Sequence, residues 1–514
     1  MGSLLRDVCR NIGGVRDSPT RMKKAIKARR KNVIFKHVQW FTLHLLRRSL
    51  FVVSAITVLL ALQALASGGN TPSPSTAPAM TESIQDYTTK ADNNEEKAFA
   101  SSTPGEATNV KTYGAVGDGT TDDTAAFTAA LKALADAGGG VCVVPKGIYI
   151  ISVTGITAPY KAAVSSAIHL VGESRDACVL KINGMPKNHL LQCDGDNWSL
   201  EDLIFDMGDF SPRVGLAAIA CKGNNWKVSN CAVLRSGRWG IAAFGGSNWS
   251  IEGNYITKTV PGATPPSGGV LVTAQQGIWS RHGRVIGNVC NGVGITFSGD
   301  EGIVARNRVS RSGSGSGIFV QGAPSTHAPT ITGNICSDGS SGYDAAQGGR
   351  WWSVNGFEIW APDSVICNNV AHDNDGGGFA IGGQNSLVVG NKSYNNGRGR
   401  TGHAGFIARV NPARGASASH SMFLGNLAYD SRYPSHNATQ DYGYLEQADG
   451  VTDVRQFGND YNRNRVGAIK SQTQGGSELR MQISPEMKNR LKVLAEMADL
   501  PDNLRRVVRE CLTR

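Results

Sequence analysis

Beyond residue 48 the chain carries no net charge. Residues 1 to 48 hold 13 Lys/Arg against Asp7 and Asp17 alone, and the rest of the chain has 39 basic and 39 acidic residues. The formal net charge of +11 therefore belongs to the leader, and nothing in the bulk of the chain forms the phosphate-binding face that a nucleic-acid partner requires. Cys and His spacings that would suit a zinc site are missing too. Acidic residues cluster too weakly to assign calcium, so no cofactor is expected and calcium is left open. Residues 67 to 108 have no apolar periodicity; rich in Ser, Thr, Pro, Ala and charge, they read as a disordered linker.

Long hydrophobic runs are also scarce, and the exception sits beside the basic leader. Leu50 through Leu62 is apolar and is followed by the small-residue pattern Ala64-Leu65-Ala66. A positive flank, an apolar core and such a site describe a secretory signal cleaved after Ala66. The basic region is longer than a signal peptide needs. Two explanations stand: translation starts at Met22 or later, or residues 49–66 are retained as an inner-membrane anchor with the positive side in the cytoplasm. Either way residues 1–66 are a leader, and the remainder is expected to be periplasmic or extracellular.

What is abundant is glycine, 63 residues of it, in a two-beat repeat. One beat closes on asparagine: Asn230, Asn254, Asn288, Asn334, Asn391 and Asn426, each after a short apolar alternation. The other opens on glycine: Gly240, Gly294, Gly317, Gly356, Gly378 and Gly405, each followed by apolar residues at alternate positions. Short strands recurring every 19 to 35 residues cannot each bury an apolar face alone, so they must stack. A propeller would need about 40 to 45 residues and four strands per repeat. The fold class expected is all-β, a parallel β-helix over residues 109–470. Glycine would supply sharp corners, often at positive φ, and asparagine would tolerate the left-handed bend while stacking on the next coil's asparagine.

Ten cysteines in an exported chain raise the question of disulfides. Cys290 and Cys336 each lie two residues after a repeat asparagine, in one inward row. With the Asn307 coil between them they are about 10 Å apart, too far to bridge. Most cysteines are therefore expected to be small buried residues; Cys221 and Cys231 form the pair hardest to exclude.

The ends need caps. Thr121 through Leu134 begins with capping residues, continues with helix formers and stops at Gly138-Gly139-Gly140, with Phe127, Leu131 and Leu134 on one face. This short helix should plug the N-terminal mouth. Residues 471–514 read as two short helices, a C-terminal cap or tail. Their strand-like lead, Leu479 to Ile483, faintly resembles a ribbon-helix-helix unit, but eight basic against six acidic residues from Glu478 onward argue against DNA.

The segment Val110-Lys111-Thr112-Tyr113-Gly114-Ala115-Val116-Gly117-Asp118-Gly119-Thr120-Thr121-Asp122-Asp123-Thr124, with Gly138-Gly139-Gly140-Val141 and Pro145-Lys146-Gly147-Ile148-Tyr149, resembles the opening of pectate-lyase-superfamily proteins related to family-28 glycoside hydrolases and rhamnogalacturonases. The resemblance implies a right-handed parallel β-helix that acts on, or binds, a polysaccharide. Asp118, Asp122 and Asp123 fall in this opening, where turn and helix capping is their expected role. Thr401-Gly402-His403-Ala404-Gly405 is similar to the hydrolases' Gly-His-Gly, but their Asn-Thr-Asp, paired Asp and Arg-Ile-Lys motifs are missing. The hydrolytic machinery therefore does not carry over.

The glycine beat sets a register for chemistry. If residues one and three after each glycine point inward, those two and four after it point out, which places Glu358, Trp360 and Arg409 on one exposed face with Gln321 beside them. Aromatic faces stack on sugar rings and guanidinium pairs with uronate carboxylates. The long insertion at 337–355 adds Tyr343, Arg350, Trp351 and Trp352 as further binding candidates. Asp300 and Glu301, two coils earlier, are candidates for a second carboxylate roughly 10 Å away, near the spacing of inverting glycosidases. His372-Asp373-Asn374-Asp375 follows Asn369 at a corner and reads as a turn. The expected function is an exported carbohydrate-active enzyme, a lyase, hydrolase or epimerase. Glu358 would be general acid or base, Asp300 or Glu301 the second carboxylate, Arg409 a charge stabiliser and Trp360 with Trp351 or Trp352 the sugar platforms. The other reading is a non-catalytic surface β-helix that binds glycan or packs into an assembly.

Overall fold

The computed structural model describes residues 107–158, 167–208, 216–236, 239–258, 268–273, 280–312, 315–322, 326–340, 354–399, 403–411, 415–447, 450–470, 485–496 and 502–513. Three long parallel sheets run through the described residues: sheet A with 13 strands, sheets B and C with 12 each, each coil between the first and the last giving one strand in turn to A, B and C. This is a right-handed parallel β-helix. Period-2 alternation sends one face of every strand inward.

In sheet C, Ile295, Ile318, Phe357, Phe379 and Phe406 are register partners in successive coils. All five are fully buried, and the three phenylalanines stack nearly parallel, 4.6 and 4.9 Å apart. The expected interior column is therefore present.

The asparagine beat forms a continuous buried ladder. Asn254, Asn288, Asn307, Asn334, Asn369, Asn391 and Asn426 each donate Nδ2 to the Oδ1 of the next, at 2.9 to 3.1 Å, and Asn459 is the last acceptor. The same Oδ1 accepts the preceding asparagine's backbone N–H, so the amide does what a lost strand bond would otherwise do at the corner. These asparagines are not the left-handed residues; that conformation belongs to their predecessors Gly253, Gly287, Arg306, Gly333, Asn368, Gly390, Gly425 and Gly458. Asn230 is one of those predecessors, so it stands one residue outside the ladder whose amide reaches Cys231 N–H.

The glycines of the second beat correct the corner reading in another way. Gly317, Gly356 and Gly378 do not take positive φ; a Cβ on each would meet the carbonyl of the next coil's glycine at 2.6 to 2.9 Å. On the other side it would strike Cys336, Ala371 or Ser393, the inward row of sheet B. Close approach excludes a side chain here, and the same crowding explains why the facing row is Cys, Ala and Ser.

The cysteine row follows suit. Cys290 and Cys336 flank Val309 in register, and the eight cysteines between Cys142 and Cys367 are free and buried. Burial pushes the Cys290 thiol up to about 12. Cys221 lies beside Cys193, not Cys231.

Helix α1 (Thr124–Asp136) closes the N-terminal mouth with Phe127, Leu131 and Leu134 buried. Asp122 caps its start by accepting from Thr124 N–H, and Asp118 ties its own turn through the Thr120 and Thr121 amides. Asp123, almost wholly buried, accepts instead from the Val116 and Gly117 amides. Strands at Thr108–Asn109 and Asp118–Asp122 already pair with the first full coil, so the winding begins before the helix. The C-terminal helices α2 (Pro485–Glu496) and α3 (Asp502–Thr513) are no end cap. They lie on the outer face of sheet A, where Leu491, Leu494, Leu504 and Val508 cluster with Leu387, Val389, Met422 and Leu424. Arg490 fastens them by donating to the Asn385 and Asp363 carbonyls. Sheet A has an apolar outer face in those coils, whereas earlier coils carry the ion pairs of Glu252 with Lys227 and Arg284.

Candidate functional site

The outward faces of the sheet C strands supply the candidate residues. In one outward row Thr296, Phe319, Glu358, Ala380, Ile407 and Leu445 are register partners. The row beside it follows the ladder through Gln321, Trp360, Gly382, Arg409 and Gln447, whose amides bond to the preceding coil's Phe297, Val320, Ile359, Ile381 and Ala408 carbonyls. Glu358, Trp360 and Arg409 are thus brought together across three coils, with half-buried Gln321 one coil before Trp360.

Glu358 is the centre of the cluster. Its Oε1 accepts from Trp360 Nε1 at 2.9 Å and its Oε2 from Ser316 Oγ at 2.8 Å. Arg409 Nη1 stands 3.7 Å from Oε1. Both oxygens accept, and their remaining lone pairs leave room for a further donor. Its side chain is 20% exposed.

Trp360 is not the exposed sugar platform that the register implied. It is 7% exposed. A Cβ on Gly382 would fall 2.2 Å from its six-membered ring, so the indole lies flat over that glycine in the next coil, with its N–H turned to Glu358. Its task here is to orient the carboxylate. Arg409 is also more enclosed than expected, with its side chain 13% exposed, and its Nε is buried without a hydrogen-bond partner. Burial lowers its affinity for its proton, and the charge of Glu358 restores part of it. A guanidinium held dry with donors to spare is arranged for an anion.

Asp300 and Glu301 do not join the cluster. The sheet C strand Gly294–Phe297 ends before them, and Gly299–Asp300 enters a separate three-stranded corner sheet with Ser280–Arg281 and Gly246–Ser247. Asp300 accepts from the backbone and ring of His327, and Glu301 pairs with His282 Nε2 at 2.8 Å. Glu301 sits at φ 50°, in the left-handed corner position. Neither is among the hydrogen-bond or ion-pair partners of Glu358; each is engaged by a histidine at the corner that follows the Gly294 strand. Tyr343, Arg350, Trp351 and Trp352 lie outside the described residues, as do Thr401, Gly402 and the leader at 49–66. The His372 run is a turn: Asp373 is left-handed, Asn374 enters a second amide ladder through Asn396, and His372 stacks on Tyr394.

Ser316 escaped the sequence reading because only residues after each glycine were considered. Its signal is its place directly before Gly317, in the sheet B to sheet C connection that overhangs the outer face. Among the described residues no group of three or more His, Cys, Asp or Glu is placed to hold a metal, and no helix is long and apolar enough to cross a membrane.

Comparison with known proteins agrees with the fold. Residues 107–194 match the family described as rhamnogalacturonase A/epimerase, pectate lyase-like, and residues 217–352 match the right-handed β-helix region. The chain carries a pectate-lyase-like β-helix. Mannuronan C5-epimerase AlgE1 of Azotobacter vinelandii is 34% identical over 106 residues, 19% of this chain and 8% of that protein. The chain matches at most 24% of the length of the curated relatives it meets first. The A-module of mannuronan C-5 epimerase AlgE4 from the same organism superposes with a TM-score of 0.56 at 18% identity, over 72% of this chain and 98% of that one. PfbA, a surface adhesin of Streptococcus pneumoniae, superposes with a TM-score of 0.53 at 16% identity, over 72% and 93%. At these identities the two structures speak for the β-helix fold alone.

Proposed function

We propose that this protein is an exported enzyme that modifies an acidic polysaccharide laid along the outer face of sheet C, by proton transfer at the carbon next to a uronate carboxylate. The observation that carries the reading is the pairing of Glu358, held as a carboxylate by Ser316 and Trp360, with a dry guanidinium whose Nε has no partner. Glu358 takes the C5 proton while Arg409 neutralises the sugar carboxylate onto which the charge moves. Return of a proton from solvent to the other face gives the epimer; cleavage of the C4–O4 bond, with the departing oxygen protonated by water, gives an unsaturated lyase product. Hydrolysis by paired carboxylates is disfavoured, because Asp300 and Glu301 are occupied by histidines at another corner. The likeness to mannuronan C5-epimerases over part of the chain supports the same class of chemistry.

The test is incubation in D2O with a panel of polyuronates and neutral polysaccharides, reading deuterium at C5, unsaturated-product absorbance and reducing ends. Deuterium uptake or unsaturation on a polyuronate is expected, and Glu358→Gln should lower it about 100-fold or more. A polymer that binds but shows none of the three products would remove the enzymatic reading. What would then remain is a glycan-binding surface protein, a reading favoured by one observation: Glu358 already has two hydrogen bonds and an ion pair of its own. Mass spectrometry of the mature N-terminus tests export, by cleavage near Ala66 or retention of residues 49–66.

A further inference from the structure

We propose that Tyr433 is an outlying sugar-stacking platform, a subsite for a pyranose ring several units along the polymer from Glu358; this rests on the polysaccharide reading above. On the outer face of sheet C, Trp360 is buried against Gly382, and Phe319 and Tyr442 are half-buried. Among the described residues two large aromatics are exposed, Tyr255 at 38% and Tyr433 at 45%. Tyr255 lies in the middle of the outer face of sheet B, paired with Val289. Tyr433 lies in the connection from the sheet B strand Leu427–Tyr429 to the sheet C strand Tyr442–Glu446.

The same kind of connection, four coils earlier, carries Ser316 to Glu358. Tyr433 therefore lies, like Ser316, on the stretch of chain that leads from sheet B into sheet C. Its coil is three steps from the Glu358 coil, roughly 14 Å along the axis. A polymer running along sheet C from Arg409 toward Gln447 is carried to it.

The loop is also built to hold a ring still. The fully buried Asp430 carboxylate receives the Arg432 backbone amide at 3.0 Å, both arms of the Arg432 guanidinium at 2.8 and 2.9 Å, and the Thr439 and Gln440 amides at 2.7 and 3.0 Å. One side chain thus cinches both ends of an Ω-shaped loop. Asn395 of the preceding coil adds a bond to Ser431 N–H. A tyrosine fixed by its backbone loses little freedom on binding, and its faces suit the C–H side of a sugar.

The experiment measures binding, not turnover. Affinity electrophoresis and calorimetry would use alginate and polygalacturonate, with dextran as the neutral control, then size-fractionated oligosaccharides of whichever polymer binds. Tyr433→Ala should weaken binding of long oligosaccharides about tenfold, Tyr433→Phe should stay within about twofold of wild type, and short oligosaccharides should bind all three alike. Thermal melting confirms that the variants fold. Equal affinity of Tyr433→Ala and wild type for long chains overturns the subsite while leaving the Glu358 reading standing. Loss in both Ala and Phe variants also overturns it, since a stacked ring survives in phenylalanine. Absence of binding by the wild type to every polymer removes the polysaccharide reading, and this subsite with it.

Discussion

The two faces of sheet C are made by the same strands and follow opposite rules. Inward, the column repeats its chemistry coil after coil, Ile295, Ile318, Phe357, Phe379, Phe406, because each ring or branch packs on an identical neighbour one step away. Outward, Thr296, Phe319, Glu358, Ala380 and Ile407 change at every step, and the cluster of Ser316, Glu358, Trp360 and Arg409 occurs once among the described coils. Repetition marks what the solenoid needs to stand. A position that breaks the repeat while keeping its polar partners is where chemistry can be housed without cost to the stack.

That contrast can be broken by substitution. Phe379→Ala removes a ring stacked between Phe357 and Phe406 in a fully buried column, and should destabilise the protein by about 4 kcal/mol in urea unfolding. Asn334→Leu should cost about 2 to 3 kcal/mol, since it leaves the Asn307 amide without its acceptor and the Asn369 oxygen without its side-chain donor. Thr296→Val, on the outward row of the same sheet, should change stability by less than about 0.5 kcal/mol. An outward substitution as costly as the inward ones would mean that the outer row also supports the stack, and the distinction would fail.

The asparagine ladder shows how far one sequence reads its own fold. Asn288, Asn334, Asn391 and Asn426 were visible as a beat because a corner that spends one amide on its neighbour in the stack must spend it in every coil. Asn307, Asn369 and Asn459 complete the ladder. Asn230 looked like a member and is not, since a one-residue shift separates the left-handed corner from the ladder and the letter N suits both. The glycine beat was seen for what it is in position but not in cause: Gly356 is required by the carbonyl of Gly378, a contact between residues 22 apart that no local pattern records.

The candidate site was legible only in part for a similar reason. Period-2 alternation is enough to put Glu358 and Trp360 on one face, and coil stacking adds Arg409. Alternation says nothing about whether an outward residue is wet. Trp360 is dry because Gly382 leaves space above the next coil, and Ser316 reaches Glu358 because a connection folds back over the sheet. That Asp300 and Glu301 follow the Gly294 strand was legible; that each is taken up by a histidine at the next corner was not, because His327 and His282 lie in other coils.

Composition, periodicity and the spacing of Asn and Gly thus determined the parallel winding, the buried cysteine row and the plug of helix α1, since each follows from short-range sterics repeated many times. Where α2 and α3 dock, which carboxylate meets a guanidinium and which aromatic stays exposed were decided only by the tertiary structure. Those outcomes depend on single contacts between distant coils, and a contact made once leaves no period in the sequence to be read.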